Sequence, residues 1–416
     1  MSSSLKIALL TYSTKPRGGV IHTMELAEAL QALGHEVCVF ALNKDDQGFC
    51  RPLSCSVEFV PAQPMDRDDA IDTIVEQRIH DYIRYFQARS PAYDIYHAQD
   101  CISANALTIL REHGSLYGTS NKTPAIIIRT VHHVDDYPSE YLMACQHRSI
   151  VQPDLCLCVS RHWQQQLLTH YGVSAGLVFN GVDARRFSVQ ADGNETAVKE
   201  KLQLTGTPLF LSIGGVEPRK NSLRLLQAFA QVQKQLPSAQ LAIAGGVTMF
   251  NYDTYTDQWF SEAESLGISV GKSVGKAVGK SLEKTMGEPT EKSVVLTGVI
   301  DDQDLPALYR AADAFVFPSV MEGWGLVVME AIASGLPVVT SNIEPFTEFL
   351  TPDQALLVDP HNPSAIAQGM LQSVDVAIAQ PLVAASQTVC ETYTWESSAK
   401  IHSEHYHSLL KRLRHA

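Results

Sequence analysis

Two carboxylates separated by seven residues stand in the stretch Phe317-Pro318-Ser319-Val320-Met321-Glu322-Gly323-Trp324-Gly325-Leu326-Val327-Val328-Met329-Glu330-Ala331. The apolar run closed by Pro318 reads as a strand end, the glycines around Glu322 as a turn, and the residues from Gly325 as the start of a helix. Backbone N–H groups at such a start carry the positive end of the helix dipole and suit a phosphate. Glu330 then falls about five residues into the helix, roughly 7 to 8 Å along the axis. That spacing fits a diphosphate followed by a ribose, whose two hydroxyls a carboxylate accepts well. The competing reading makes Glu322 a turn residue and Glu330 part of a solvated face. It sits poorly with the apolar neighbours Met329, Ala331 and Ile332, among which an unpaired charge is costly.

Other groups could join this chemistry. His132 and His133 follow Ala125–Val131, at the carboxyl end of a strand, where ligands bind in open parallel sheets. The turn Lys15-Pro16-Arg17-Gly18-Gly19-Val20 follows the strand-like Leu5–Thr11, and Gly18 and Gly19 let the backbone approach a phosphate or an acceptor closely. The Trp324 ring fits either stacking on a sugar or packing beneath its loop.

Asp302-Gln303-Asp304 has the spacing of a metal-holding pair. It precedes the helix-like Leu305–Ala312, so capping and first-turn charge account for it, and no metal is expected. His402, His405 and His407 lie on a terminal helix at spacings that do not share one face, which suggests a solvated helix. The Gly-Lys repeats between Ser269 and Lys280 lack the Gly that a nucleotide-cradling loop needs five positions earlier. They read as a surface insertion within 246–292.

The elements that must position these groups form two series of alternating strands and helices, the pattern of parallel sheets with crossover helices. The first runs through Leu5–Thr11, Val37–Leu42, Ile95–Ala98, Ala125–Val131, Leu155–Val159 and Leu177–Phe179. The second runs through Leu209–Ile213, Leu241–Ala244, Val294–Leu296, Ala314–Phe317, Val338–Thr340 and Leu356–Val358. Between Asp183 and Thr207 the chain turns polar and aperiodic, as a linker would. A chain of 416 residues exceeds one ordinary core, so two domains are expected.

Composition narrows the class of function. With 45% hydrophobic and 19% charged residues the chain is an ordinary folded protein. A net charge of −13 without a basic stripe argues against nucleic acid as a partner. No apolar stretch reaches the roughly 20 residues that span a bilayer. The N-terminus lacks the apolar core of a secretory signal, and the eight cysteines include no CxxC pair. The expected compartment is the cytoplasm, with peripheral attachment to a membrane left open.

The Glu322…Glu330 stretch within FPSVMEGWGLVVMEAIASGLPVV resembles the donor-site signature of the family-4 retaining glycosyltransferases of GT-B fold. Further motifs occur in that family's order: the Gly18-Gly19-Val20 loop with Gly34-His35-Glu36-Val37, Thr130-Val131-His132, Val159-Ser160, Asn180-Gly181-Val182-Asp183 with Phe187, Gly298-Val299, Leu308-Tyr309-Arg310-Ala311-Ala312-Asp313, and Val358-Asp359-Pro360. The resemblance implies an α/β protein with two Rossmann-like doubly wound domains facing a central cleft. Residues 1–185 would form the acceptor domain, 186–395 the nucleotide-sugar donor domain, and 396–416 a helix crossing back to the first.

It also implies metal-independent transfer of a sugar from a UDP-, GDP- or ADP-sugar to a hydroxyl acceptor, the nucleotide sugar being substrate and no cofactor being required. Glu322 would meet the transferred sugar, Glu330 the ribose, Lys220 the diphosphate, and His132 would lie beside the reacting sugar. Gly323, Gly325 and Leu326 would lend backbone to the donor site. The family pattern has Arg directly after Gly214, where this chain has Gly215, so one of two expected cations is missing. Arg219, adjacent to Lys220 and forked for phosphate, fits that vacancy, points to solvent or caps the following helix, and Arg17 is the next candidate. Two other classes compete. An NAD-dependent oxidoreductase would need G-x-G-x-x-G after its first strand, which Gly18-Gly19 does not supply. A non-catalytic nucleotide-sugar-binding protein would keep Glu330.

Overall fold

The computed structural model describes residues 4–66, 69–119, 123–137, 139–245, 252–272 and 292–415. They form two compact units, one of Met1–Gly181 with Tyr393–Ala416, the other of Val182–Thr392.

The first unit runs β1 (Lys6–Thr11), α1 (Gly18–Ala32), β2 (Glu36–Asn43), β3 (Ser56–Pro61), α2 (Ile71–Arg89), β4 (Ile95–Ala98), α3 (Cys101–Glu112), β5 (Ile127–Val131), α4 (Glu140–Val151), β6 (Leu155–Cys158), α5 (Arg161–Tyr171) and β7 (Gly176–Leu177). Its seven strands pair in the order β3-β2-β1-β4-β5-β6-β7. The pairing is parallel, with Ile7 opposite Val37 on one side and Ile95 on the other. Ile7, Ala8, Leu9 and Leu10 are all buried, so β1 reads as an unbroken apolar run, as a strand covered on both faces should. Chain order reverses at β1, and the ends of β1 and β4 flank the place where ligands enter such sheets.

The second unit runs α6 (Glu195–Leu202), β8 (Leu209–Ile213), α7 (Ser222–Gln233), β9 (Gln240–Ala244), α8 (Asp253–Ser265), β10 (Val270–Lys272), β11 (Val294–Gly298), α9 (Leu305–Ala311), β12 (Ala314–Phe317), α10 (Leu326–Ala333), β13 (Val338–Ser341), α11 (Phe346–Phe349), β14 (Leu356–Val358), α12 (Pro363–Ser373) and α13 (Val376–Thr392). Its sheet has the order β10-β11-β9-β8-β12-β13-β14, parallel throughout. Here the reversal lies between β8 and β12, and the loops after these two strands carry Lys220 and Glu322.

The last helix, α14 (Trp395–Arg414), belongs to the first unit. Trp395, Ala399, His402, Tyr406 and Leu409 are its buried stripe, at the alternating spacing of four and three that one helical face requires. Thr394 caps its start by accepting from the Ser397 N–H, and the Ser398 hydroxyl donates to the Phe179 carbonyl at 2.5 Å.

Four expectations need correcting. The segment 183–207 is not an open linker. It contains α6 and is tied into the second unit, where Arg310 reaches Asp192 and Glu195 at 2.6 Å each and Arg186 reaches Asp302 at 2.7 Å. Its charges, which made it look like linker, are spent in those pairs. The segment 246–292 is not wholly a surface insertion either. Its α8 buries Trp259, whose indole N–H donates to the Ser222 carbonyl at 3.0 Å, and β10 adds an edge strand. The Gly-Lys repeats from Ser273 to Lys280 lie outside the described residues. His402 is fully buried rather than solvated. Gly18 and Gly19 are the first residues of α1 and not part of the turn before it. Among the described residues no helix is long and apolar enough to cross a membrane.

Candidate functional site

In the second unit the chain leaves β8 through Gly214 and Gly215, whose φ angles of 135° and 74° lie in the region glycine adopts without strain. Both N–H groups donate to the Ala244 carbonyl, at 2.7 and 3.0 Å. The following loop brings Lys220 over the face of Phe317, with its ammonium 4.7 Å from the ring centre. The loop after β12 is laced to it. The Ser319 hydroxyl and the Val320 N–H meet the Arg219 carbonyl, at 2.8 and 3.0 Å. Asn221 donates to the carbonyls of Pro318 and Pro360, at 3.0 and 2.6 Å.

These loops converge on Glu322. Its Oε1 accepts from Lys220 at 2.7 Å, from the Ser319 hydroxyl at 2.8 Å and from Arg219 at 3.0 Å. Burial alone would raise its pKa, but Lys220 and Arg219 outweigh that and hold it at about 2. Burial pulls the Lys220 ammonium the other way, below its ordinary value, against the attraction of Glu322. The result is a buried anion held between two cations, a group that can rearrange around a further anion.

Glu330 sits in the fifth position of α10. Its Oε2 accepts from the Tyr309 hydroxyl at 2.7 Å, and burial, then Glu330 itself, push that phenol well above its usual value. Gly325 precedes the helix with φ 115°, and a Cβ there would come within 2.8 Å of Phe346. Glycine is therefore required where α10 begins.

The first unit holds a different cluster at the ends of β4 and β5. His97, inside β4, has both ring nitrogens engaged at 2.7 Å, by Tyr406 and by Thr130. His22 on α1 engages Asn180 at 2.9 Å and meets the His132 ring edge-on, with centroids 4.7 Å apart. His402 on α14 donates to the Ser398 carbonyl at 2.8 Å and lies 5.9 Å from His22 and 5.8 Å from His97. His132 Nε2 is 3.2 Å from Gln99 Oε1. Burial lowers His22 to about 4 and His402 to about 3. Burial, then His22, Arg129, His133 and His97, holds His132 well below the usual imidazole value. All are neutral at pH 7.

Comparison with known proteins meets both clusters. Residues 194–375 match the model of the glycosyl transferases group 1, and residues 16–186 that of glycosyltransferase family 4. The chain is a group 1 glycosyltransferase. The O-antigen chain mannosyltransferase B of Escherichia coli is 28% identical over 265 residues, which is 62% of this chain and 61% of that protein. Sucrose-phosphate synthase of Thermosynechococcus elongatus superposes with a TM-score of 0.73 at 22% identity, over 98% of this chain and 99% of the other. The Anabaena protein Alr3699/HepE, solved in complex with UDP-glucose, gives 0.72 at 16% identity over 97% and 100%. These likenesses establish the GT-B fold.

In the glycosyltransferase, Arg219, Lys220 and Glu322 meet directly, and Gly323, Gly325, Leu326 and Glu330 follow them at the head of α10. Trp324 is a correction on one point: its indole is buried, stacked on Phe349 at 4.8 Å with its N–H against the Met329 sulfur. Only the packing role remains for the ring. Asp302 and Asp304 pair with Arg186 and Lys201, and Asp304 makes no side-chain cap. A Cβ at Gly18 would meet nothing within 4 Å, whereas one at Gly19 would lie 3.5 Å from the His132 ring. Sequence reasoning missed Tyr309 as the partner of Glu330, and Ser319, His22, His97 and Gln99 altogether. For the imidazoles a signal existed: His97 inside an apolar strand and His22 on the apolar side of α1 are polar groups where burial demands partners.

Proposed function

We propose that the glycosyltransferase takes a nucleoside-diphosphate sugar as donor and transfers the sugar to a hydroxyl acceptor with retention of anomeric configuration and without a divalent metal. The observation that carries this reading is the convergence of Lys220 and Arg219 on Glu322 at the head of α10, with Glu330 following on the same helix. As the bond from the anomeric carbon to the diphosphate breaks, negative charge grows on the leaving oxygen. Lys220, Arg219 and the N–H groups opening α10 are preorganised to meet that charge, the kind of term that usually dominates such catalysis. Glu330, held by Tyr309, accepts from the ribose hydroxyls. Glu322 orders the two cations and is placed to take hydrogen bonds from the sugar. His132, neutral, accepts a hydrogen bond from a substrate hydroxyl. A donor of this class is supported by the UDP-glucose complex of the Anabaena relative.

Incubation with UDP-, GDP- and ADP-sugars, followed by mass spectrometry of the products and NMR of the newly formed linkage, tests the reading. One donor should give free nucleoside diphosphate and a product with the donor's anomeric configuration, and the activity should survive EDTA. Inverted product, or strict Mg²⁺ or Mn²⁺ dependence, would overturn it.

A further inference from the structure

Gln99 follows β4 and is 2% exposed. Its backbone N–H donates to the Leu10 carbonyl at 2.9 Å, which pins the residue between β4 and β1. Its side chain reaches His132 Nε2 through Oε1. An amide oxygen only accepts, so Nε2 carries the proton and Nδ1 keeps its lone pair. The amide Nε2 of Gln99 is buried without a hydrogen-bond partner among the described residues, so the oxygen's contact to His132 is what the side chain is ordered by. His22 is set in the same way. Its Nδ1 donates to Asn180 Oδ1, and its Nε2 is buried without a partner, so it stands as a neutral ring edge-on to His132.

We propose that Gln99 is a positioning residue for His132, fixing the neutral Nε2–H tautomer so that the Nδ1 lone pair is presented to a substrate hydroxyl. The proposal rests on the reading of His132 as a substrate-facing group. Of the four clustered imidazoles, His132 is the one not fully enclosed, and Gln99 and His22 stand behind it. An amide is the group this task needs. A carboxylate in its place would hold the same tautomer but also stabilise the imidazolium, which destroys the lone pair. The surroundings do not favour that cation. His22 faces the ring from α1, His97 from β4, Arg129 from β5 and His133 from its own loop, while His133 is 3.3 Å from Asp135 and Asp100 caps α3 through the Ser103 N–H.

Gln99→Glu and Gln99→Met in protein labelled with ¹⁵N-histidine test this, with the His132 resonance assigned by its loss in His132→Ala. In the unaltered protein, long-range ¹H–¹⁵N spectra should show His132 as the Nε2–H tautomer between about pH 7.5 and about pH 5.5. Gln99→Glu should raise its titration midpoint by at least about one unit and add an acid limb to the pH profile of kcat. Gln99→Met, uncharged and of similar size, should give mixed tautomers and a kcat lower by about tenfold, with donor KM unchanged. A His132 that keeps its tautomer and titration in both variants overturns the proposal. The spectra need no turnover, so failure of the transfer reading would appear separately, as absent product in the unaltered enzyme.

Discussion

At the ends of β8 and β12 a carboxylate and two cations are packed within 3.0 Å. At the ends of β4 and β5 four neutral imidazoles are packed together. Burial penalises charge in both places. In the second unit, opposite charges and a hydroxyl lie close enough to overcome that penalty, and Glu322 stays ionised. In the first unit the neighbours of His132 are other imidazoles and Arg129, so the rings shed protons instead. One cluster is thus built to balance anions, and the other to present lone pairs and dipoles. The two should respond differently to lost partners and to acid.

Lys220→Ala should show the largest effect. Glu322 would be left buried with Arg219, the more exposed of the two cations (28% against 15% for Lys220). Removing one preorganised charge-stabilising group costs about 10²- to 10³-fold in kcat. Breaking a buried pair destabilises a fold by about 3 kcal/mol. Initial rates and thermal denaturation together measure both, and a rate within tenfold of the parent would mean that Arg219 alone suffices.

Acid separates the clusters by window. His22 and His402 have folded pKa values of about 4 and about 3, against 6.5 when unfolded. The fold therefore holds the neutral rings, and the unfolded chain takes up protons first. Their contribution is complete above about pH 6.5 and is lost as pH falls toward 4 and 3, with roughly 2 kcal/mol gone per ring by about pH 5. Glu322 is depressed from 4.5 to about 2, so its contribution persists down to about pH 4.5 and is lost only below. Hydrogen exchange at about pH 7 and about pH 5 should show α1 and α14 loosening while α10 does not. Equal loosening of all three would dissolve the distinction.

The same contrast explains what could be read from the sequence. Glu322 and Glu330 stand out because a charge inside an apolar pattern, at a strand end or on a short helix, is conspicuous in one dimension, whereas Lys220 is legible only through the family resemblance. His402 is visible in the sequence but reads as part of a solvated helix. Its partners His22 and His97 lie hundreds of residues away, and only the return of α14 to α1 brings them together. β3 and β10 were missed because edge strands carry weak apolar patterns: three of the four residues of β3 before Val60 are exposed. Asp192, Glu195 and Arg186 looked like linker because ion pairs, unlike apolar faces, leave no periodicity.

Glu330→Gln tests the reach of the ionised cluster along α10. The amide accepts less strongly than a carboxylate, and hydrogen bonds to charged groups contribute about 1.5 to 3 kcal/mol, so donor affinity should fall roughly ten- to hundredfold. Calorimetric titration with the donor measures it. Tyr309→Phe, which leaves the carboxylate but removes the hydroxyl that orients it, should weaken binding by less. Unchanged affinity in Glu330→Gln with intact circular dichroism would make Glu330 structural.

The smallest effect is expected at Arg219, and it decides how the departure at Gly215 is made good. The left-handed backbone there, φ 74°, suits glycine, so the cation expected by resemblance cannot simply be restored at that position without strain. Arg219 lies across the same loop, its guanidinium 3.0 Å from Glu322 and 3.2 Å from the Met321 carbonyl. It is therefore beside Lys220 and not turned away to cap α7. Partial exposure screens its charge, so Arg219→Ala should reduce kcat/KM by about three- to tenfold, near 1 kcal/mol, and more at low ionic strength than at high. Arg219→Lys keeps the charge but not the fork, and should recover part of the loss if bidentate contact matters. A change under about twofold for Arg219→Ala, alongside a crippled Lys220→Ala, would rule out Arg219 as the second cation. Arg17, at the start of α1, would then be the residue to replace next.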